Sequence, residues 1–171
     1  LRIDSNDEWI QERSGIIERR HGGPDETVVT MATAAARKAI ADAGITAEQL
    51  DLVMVATVTH RYQTPSAAVE VAAAIGAVNA AATDTSAACA GFCYGLGIAD
   101  GMIRSGSAKY ILLIGAEKLS EIVNFEDRGT AFLFADGAGA VVAGCGGGAL
   151  RLRWRHPLRE HGPPGSGRSR H

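Results

Sequence analysis

Cys89 stands in the run DTSAACAGFCYGLGIADG, between an apolar stretch and a helix-forming stretch of small residues. If a helix begins at about Ala90, its unpaired N–H groups and positive dipole end lie beside the sulfur, which favours a thiolate and attack on a carbonyl. The chemistry indicated is acyl transfer through a covalent intermediate. Ala87, Ala88, Ala90 and Gly91 keep the turn narrow. Its backbone N–H groups could supply part of an oxyanion hole, typically worth about 3 kcal/mol per donor. The competing reading is a buried cysteine acting as a small hydrophobe. Cys93 follows one turn later and Cys145 lies far away, but no histidine stands between His60 and His156 to complete a zinc site. Cys93 therefore reads as a core contact on the same helix face, and no metal is expected.

Two arginines and a tryptophan also stand out. Trp9 falls in SNDEWIQERSG, where Ser5 or Asn6 can cap a short helix with acidic residues in its first turn. In that setting Trp9 packs inward and Arg13 is a solvated helix charge. Arg128, in NFEDRGT, reads as a loop partner of Glu126 or Asp127.

The elements that position these residues follow from period and punctuation. Thr27 to Ala43 carries Val28, Met31, Ala32, Ala35, Ala39 and Ile40 at helical spacing, with Gly44 as a stop. Leu52 to Val58 is a continuous apolar run, the pattern of a strand covered on both faces. Thr64-Pro65 reads as cap and first residue of the next helix, Gly76 closes it, and Val78 to Asp84 offers a short strand. The Cys89 helix runs to about Ser105, and Tyr110 to Gly115 and Ala138 to Ala143 are further strands. Alternating strands and helices predict an α/β sheet with helices on both faces.

Three motifs, DEWI near the start, the Cys89 run and DRGTAFLFADGAGA, occur in order between about Leu1 and Val142. Together they resemble β-ketoacyl-acyl carrier protein synthase III, of the thiolase superfamily. The resemblance implies an α/β fold of thiolase-like α-β-α-β-α architecture, of which about the first half is present, with the Cys89 helix in its central layer. It implies that Cys89 accepts an acyl group from an acyl-CoA primer. The acyl-enzyme then condenses decarboxylatively with malonyl-acyl carrier protein, initiating fatty acid synthesis. It implies that Trp9 and Arg128 sandwich the CoA adenine, with Arg13 near the phosphates and Ser5 near the base. Thr64, in YQTPSAAVE, matches a position that projects into the acyl pocket of the partner subunit in a homodimer. Threonine there, rather than a bulky aromatic, implies primers longer or more branched than acetyl. No cofactor is implied beyond acyl-CoA as substrate. Ala135 stands where glycine is common in the family.

The family begins one element upstream of this point, so truncation at both ends is expected. It completes a Cys-His-Asn site from a second half, and no position here matches the histidine or asparagine motif. Condensation by this chain alone is therefore expected to fail. The enzymatic alternative is a priming ketosynthase or acyltransferase of polyketide synthesis. The alternative of another class is a non-catalytic fragment or dimerisation module, with the central helix left facing water.

Composition narrows the rest. Of 171 residues 46% are hydrophobic but only 5% aromatic, so the core leans on alanine and glycine, which suits close helix–sheet packing. The apolar stretches are too short to cross a bilayer, nothing before residue 145 suggests nucleic acid, and three cysteines without a signal peptide indicate a reducing cytoplasm. Residues 1–143 read as the partial thiolase-like half and residues 144–171 as an Arg/Gly-rich tail. Its six arginines against Glu160 give +5, leaving −7 for the remainder of a chain of net charge −2. The tail reads as a basic arm, a disordered segment or out-of-frame translation of a GC-rich gene, and the abrupt end of the motif pattern favours the last. Gly144, Gly146 and Ala149 fit G-x-G-x-x-A, but Pro157 breaks any following helix and no acidic residue follows at the required distance, so no dinucleotide site is expected.

Overall fold

The computed structural model describes residues 3–146 and 149–153. Its sheet has the strand order β2-β1-β3-β4-β5. These strands are β1 (Leu52–Ala56), β2 (Ala81–Thr85), β3 (Tyr110–Lys118), β4 (Asp136–Gly146) and β5 (Ala149–Arg153). The β1 strand pairs in parallel with β2 and β3, Leu52 lying opposite Ala81 and Ile111, whereas β4 runs antiparallel to β3 with Ala143 opposite Ile111.

Side chains of the central strands alternate between two apolar layers. Val53, Val55, Leu112 and Ile114 face the helices α2 (Val28–Ala43) and α3 (Ala67–Ile75). Leu52, Met54, Ile111 and Leu113 face the helix α4 (Gly91–Arg104). All five residues of β1 are buried, as a strand covered on both sides requires. The short α1 (Asp7–Ser14) precedes this framework, its first turn capped by Asn6, which accepts the Trp9 N–H at 2.8 Å. The α2 helix opens with a reciprocal capping box between Thr27 and Thr30 and ends at left-handed Gly44, in agreement with its reading from sequence.

Several boundaries differ from the sequence reading for identifiable reasons. The β1 strand stops at Ala56 rather than Val58, because the next residues turn to bind Glu117. The α3 helix is capped by Ser66, not Thr64. Asp84, on β2, accepts the Ala67 and Ala68 N–H groups at 2.9 and 2.8 Å, so the helix starts where that carboxylate can reach. The β2 strand begins only at Ala81, with Val78 exposed after the Gly76 stop.

The largest difference lies past residue 143. The β4 strand continues to Gly146 and β5 pairs with it, Gly146 opposite Ala149 and Val142 opposite Arg153. Residues 144–146 and 149–153 are thus strand, not tail; the two-residue period of ALRLR was masked by its arginines and glycines. Gly144 and Gly146 lie within β4 and Ala149 opens β5, so the G-x-G-x-x-A spacing sits in a hairpin. Residues 154–171, and with them the readings of the tail as arm, coil or shifted frame, lie outside the described residues.

The seat of α4 depends on glycine. A Cβ at Gly95 would stand 2.5 Å from Leu113 Cδ1 and 3.1 Å from Met54 Sδ, and one at Gly91 3.1 Å from Ala56 Cβ. Gly97, on the outer face, has nothing within 4 Å. Replacing Gly97 with alanine is expected to stabilise this chain by up to ~1 kcal/mol through helix propensity alone. Gly95→Ala is expected to lose that gain and more, about 1–3 kcal/mol from overpacking, so urea midpoints of the two variants should move in opposite directions.

Candidate active site

Cys89 lies in a tight 3-10 turn, Ala88–Ala90, that leads directly into α4. Ala88 has φ 45°, a left-handed conformation uncommon for a residue with a Cβ, so the chain bends sharply just before the cysteine. The α4 helix has no side-chain cap, which leaves N–H groups of its first turn free of side-chain partners beside the turn that carries Cys89. Cys89 is exposed and opens into a cleft of about 350 Å³, shared with Ala56, Phe92, Glu117 and Asp136. The buried alternative for Cys89 is thereby set aside.

Cys93 is also exposed, contrary to its reading as a core contact. The buried positions of α4 are Gly91, Gly95, Ala99 and Ile103, four residues apart, and this spacing turns Cys93 away from the sheet. Tyr94 and Ile98 share the outward side at 60% and 47% exposure, as expected of a helix left facing water.

A second cluster forms around Trp9. The guanidinium carbons of Arg13 and Arg128 lie 4.4 and 4.6 Å from the centre of its indole ring, and Phe132 meets the ring edge-on at 5.6 Å. Arg128 is therefore drawn to Trp9 rather than to its neighbours. Asp127 instead accepts the Thr130 hydroxyl and Gly129 N–H, and these bonds hold its carboxyl below the usual range. Ser5 Oγ is buried with no hydrogen-bond partner among the described residues. Trp9, Arg13 and Arg128 are thus brought together. Thr64 is not: it is exposed on the loop between β1 and α3 and does not line the Cys89 cleft.

Sequence reasoning missed the carboxylates that bind the two places together. Asp136, at the start of β4 and on the cleft wall, accepts the Ser120 N–H and hydroxyl at 2.8 and 2.5 Å and the Gly22 N–H at 2.7 Å. Its own N–H donates to Arg20. Arg19 donates to the carbonyls of Phe132 and Leu133 at 3.2 and 3.0 Å. The segment after α1 is thereby fixed to the connection that carries both Arg128 and the cleft wall. An acidic residue just ahead of an apolar strand was the available signal.

Burial raises the Asp136 carboxyl, but the Ser120 and Gly22 donors, aided by His21, outweigh it and hold the carboxyl below its ordinary 3.8. A group held low contributes stability above its unfolded value that is lost as pH falls through the folded one. Asp136→Asn is expected to cost about 1–2 kcal/mol at pH 7. The gap in melting temperature from the parent chain should narrow below about pH 4, which thermal melts across pH will show.

Among known proteins, the sequence pattern of 3-oxoacyl-[acyl-carrier-protein (ACP)] synthase III matches residues 83–152, reaching through most of β5. The β-ketoacyl-[acyl-carrier-protein] synthase III of Streptomyces glaucescens is 59% identical over 142 residues, which are 83% of this chain and 43% of that protein. The chain therefore spans less than half the length of this relative. The crystal structure of 3-oxoacyl-[acyl-carrier-protein] synthase III from Aquifex aeolicus VF5 superimposes with a TM-score of 0.83 and 51% identity, covering 85% of this chain and 47% of that one. A priming β-ketosynthase from the R1128 polyketide biosynthetic pathway gives 0.82 and 45%, covering 84% and 43%. The α/β architecture is that of about half of these thiolase-like structures.

Proposed function

We propose that this chain, which over the 83% of its length matched belongs to the β-ketoacyl-[acyl-carrier-protein] synthase III family, carries the acyl-accepting cysteine of a condensing enzyme that initiates fatty acid synthesis. The observation that carries the reading is Cys89, exposed in its cleft at the uncapped N-terminus of α4. The Cys89 thiolate attacks the thioester carbonyl of an acyl-CoA primer, the C–S bond to CoA breaks, and the CoA thiolate leaves to take up a proton. Backbone N–H groups of the α4 turn stabilise the oxyanion that forms in between.

In the second step malonyl-acyl carrier protein loses carbon dioxide, and the resulting enolate carbon attacks the acyl-cysteine carbonyl. The cysteine thiolate is released and a β-ketoacyl thioester remains on the carrier. No residue of this chain is assigned to that decarboxylation, and condensation is proposed for the whole protein. There a second half covers the outer face of α4, where Tyr94 and Ile98 are exposed. Residues 1–143 constitute the first half in this reading. Trp9 and Arg128 take the adenine between them, displacing their present contact, Arg13 meets the phosphates, and the unpartnered Ser5 hydroxyl meets the base. The enzyme needs no cofactor beyond its CoA substrate and works in the cytoplasm.

In this reading Thr64, which is exposed in its own chain, enters the acyl pocket of a second copy. The same cysteine chemistry fits a priming ketosynthase of polyketide synthesis, and the fold match to one such enzyme supports that second reading. Turnover with carrier proteins of the two pathways separates them.

Incubation with acyl-CoA is expected to add one acyl mass to this chain, with the addition absent in Cys89→Ala. No adduct on the parent chain means a non-catalytic fragment or dimerisation module. Trp9→Ala should reduce acylation efficiency about tenfold, the worth of a stacked base, and mainly through KM. Thr64→Phe in the full-length protein should slow octanoyl-CoA about tenfold relative to acetyl-CoA, and unchanged octanoyl rates would remove Thr64 from the acyl pocket.

A further inference from the structure

Glu117, on β3, lines the Cys89 cleft, yet its carboxylate is committed to the loop that follows β1. The Val58 N–H donates to Oε1 at 2.9 Å, while the hydroxyls of Thr59 and Thr57 donate to Oε2 at 2.5 and 3.4 Å. The Thr59 hydroxyl in turn accepts the Lys118 N–H at 2.8 Å, and its own N–H donates to the Thr57 hydroxyl at 3.3 Å. Thr57 passes the connection on, its N–H reaching Thr85 O at 3.3 Å, four residues before Cys89.

One carboxylate thus ties the segment that follows β1 to the end of β3. Main-chain pairing of Ala56 with Gly115 sets the strand spacing, so what the tie fixes is the Glu117 side chain, which lines the cleft with Ala56 and sets the width of that wall. Behind the tie lies a second cavity, of about 210 Å³, lined by Thr59, His60, Tyr62 and Lys118. The Lys118 ammonium is buried at its edge, donating to Gly23 O at 2.9 Å and paired with Glu121 at 3.3 Å. There is therefore room for the segment 57–59 to move away from the cleft, and the hydrogen bonds to Glu117 are what oppose that movement.

We infer that Glu117, through Thr59, is a positioning residue for acyl-chain selectivity: it holds the cleft wall at a fixed width and so restricts how bulky an acyl group Cys89 accepts. The inference rests on the proposed acylation of Cys89. Thr59 is the residue to change, because it does not line the Cys89 cleft and its substitution alters the tie without enlarging the site directly. Thr59→Val keeps the shape and removes the hydroxyl, whereas Thr59→Ser keeps the hydroxyl.

The test measures rates of Cys89 acylation by octanoyl-CoA and acetyl-CoA, each read by intact mass on the parent chain and both variants. The ratio of the two rates does not depend on the fraction of molecules that are folded. Thr59→Val is expected to raise the octanoyl-to-acetyl ratio at least about fivefold, and Thr59→Ser to leave it near the parent value. Glu117→Gln, which retains an acceptor for Val58 but presents a donor to Thr59, is expected to shift the ratio in the same direction as Thr59→Val. An unchanged ratio in both Thr59→Val and Glu117→Gln, with the two rates falling together, overturns the positioning role while leaving the acylation reading intact. Failure of the parent chain to acylate at all overturns that reading and this one with it.

Discussion

The close seat of α4 on the sheet is the constraint on which the rest of the structure depends. Gly91 and Gly95 let the helix backbone approach Ala56, Met54 and Leu113, and a Cβ at Gly95 would force Leu113 to shift. Because the helix is that close, its N-terminus meets the ends of β1 and β3, and the chain arriving from β2 must turn sharply to enter it. The left-handed Ala88 and the exposed Cys89 are products of that turn. The thiol is thus displayed where a helix N-terminus without a side-chain cap and a cleft coincide, a placement that packing enforces.

Two carboxylates then hold the surroundings of the turn. Asp136 joins the segment after α1 to the start of β4, and so relates the Trp9 cluster to the cleft. Glu117 joins the segment that follows β1 to β3. Both accept several donors, so their oxygens are hydrogen-bonded beside an apolar sheet. Small side chains make the arrangement possible: with alanine and glycine filling much of the core, the strands and helices lie close enough for single residues to bridge them.

Much of this was legible in the sequence, and what was missed shares one cause. Val28, Ala32 and Ala39 with the Gly44 stop identified α2, and the unbroken run at Leu52 identified a strand covered on both sides, because both signals are local. Cys89 was recognisable from its run, and Trp9, Arg13 and Arg128 as a group only through the three-motif resemblance. The errors arose where a distant residue decided the outcome. Asp84 moved the start of α3 from Thr64 to Ser66, and Glu117 ended β1 at Ala56. The helix face of Cys93 was misjudged because the buried stripe is written in glycines, which carry no hydrophobic signal. The β5 strand was hidden in an arginine-rich stretch whose alternation becomes visible only when paired with β4.

The central claim is that the turn into α4, not mere exposure, makes Cys89 the acyl acceptor, and Cys93 provides the comparison within the same molecule, since both thiols are exposed. Peptide mapping by tandem mass spectrometry over a time course with acyl-CoA gives the rate at each cysteine separately. Acylation at Cys89 at least about tenfold faster than at Cys93 is the outcome required if the helix terminus and cleft activate the thiol. Equal rates, or a faster Cys93, would contradict the account.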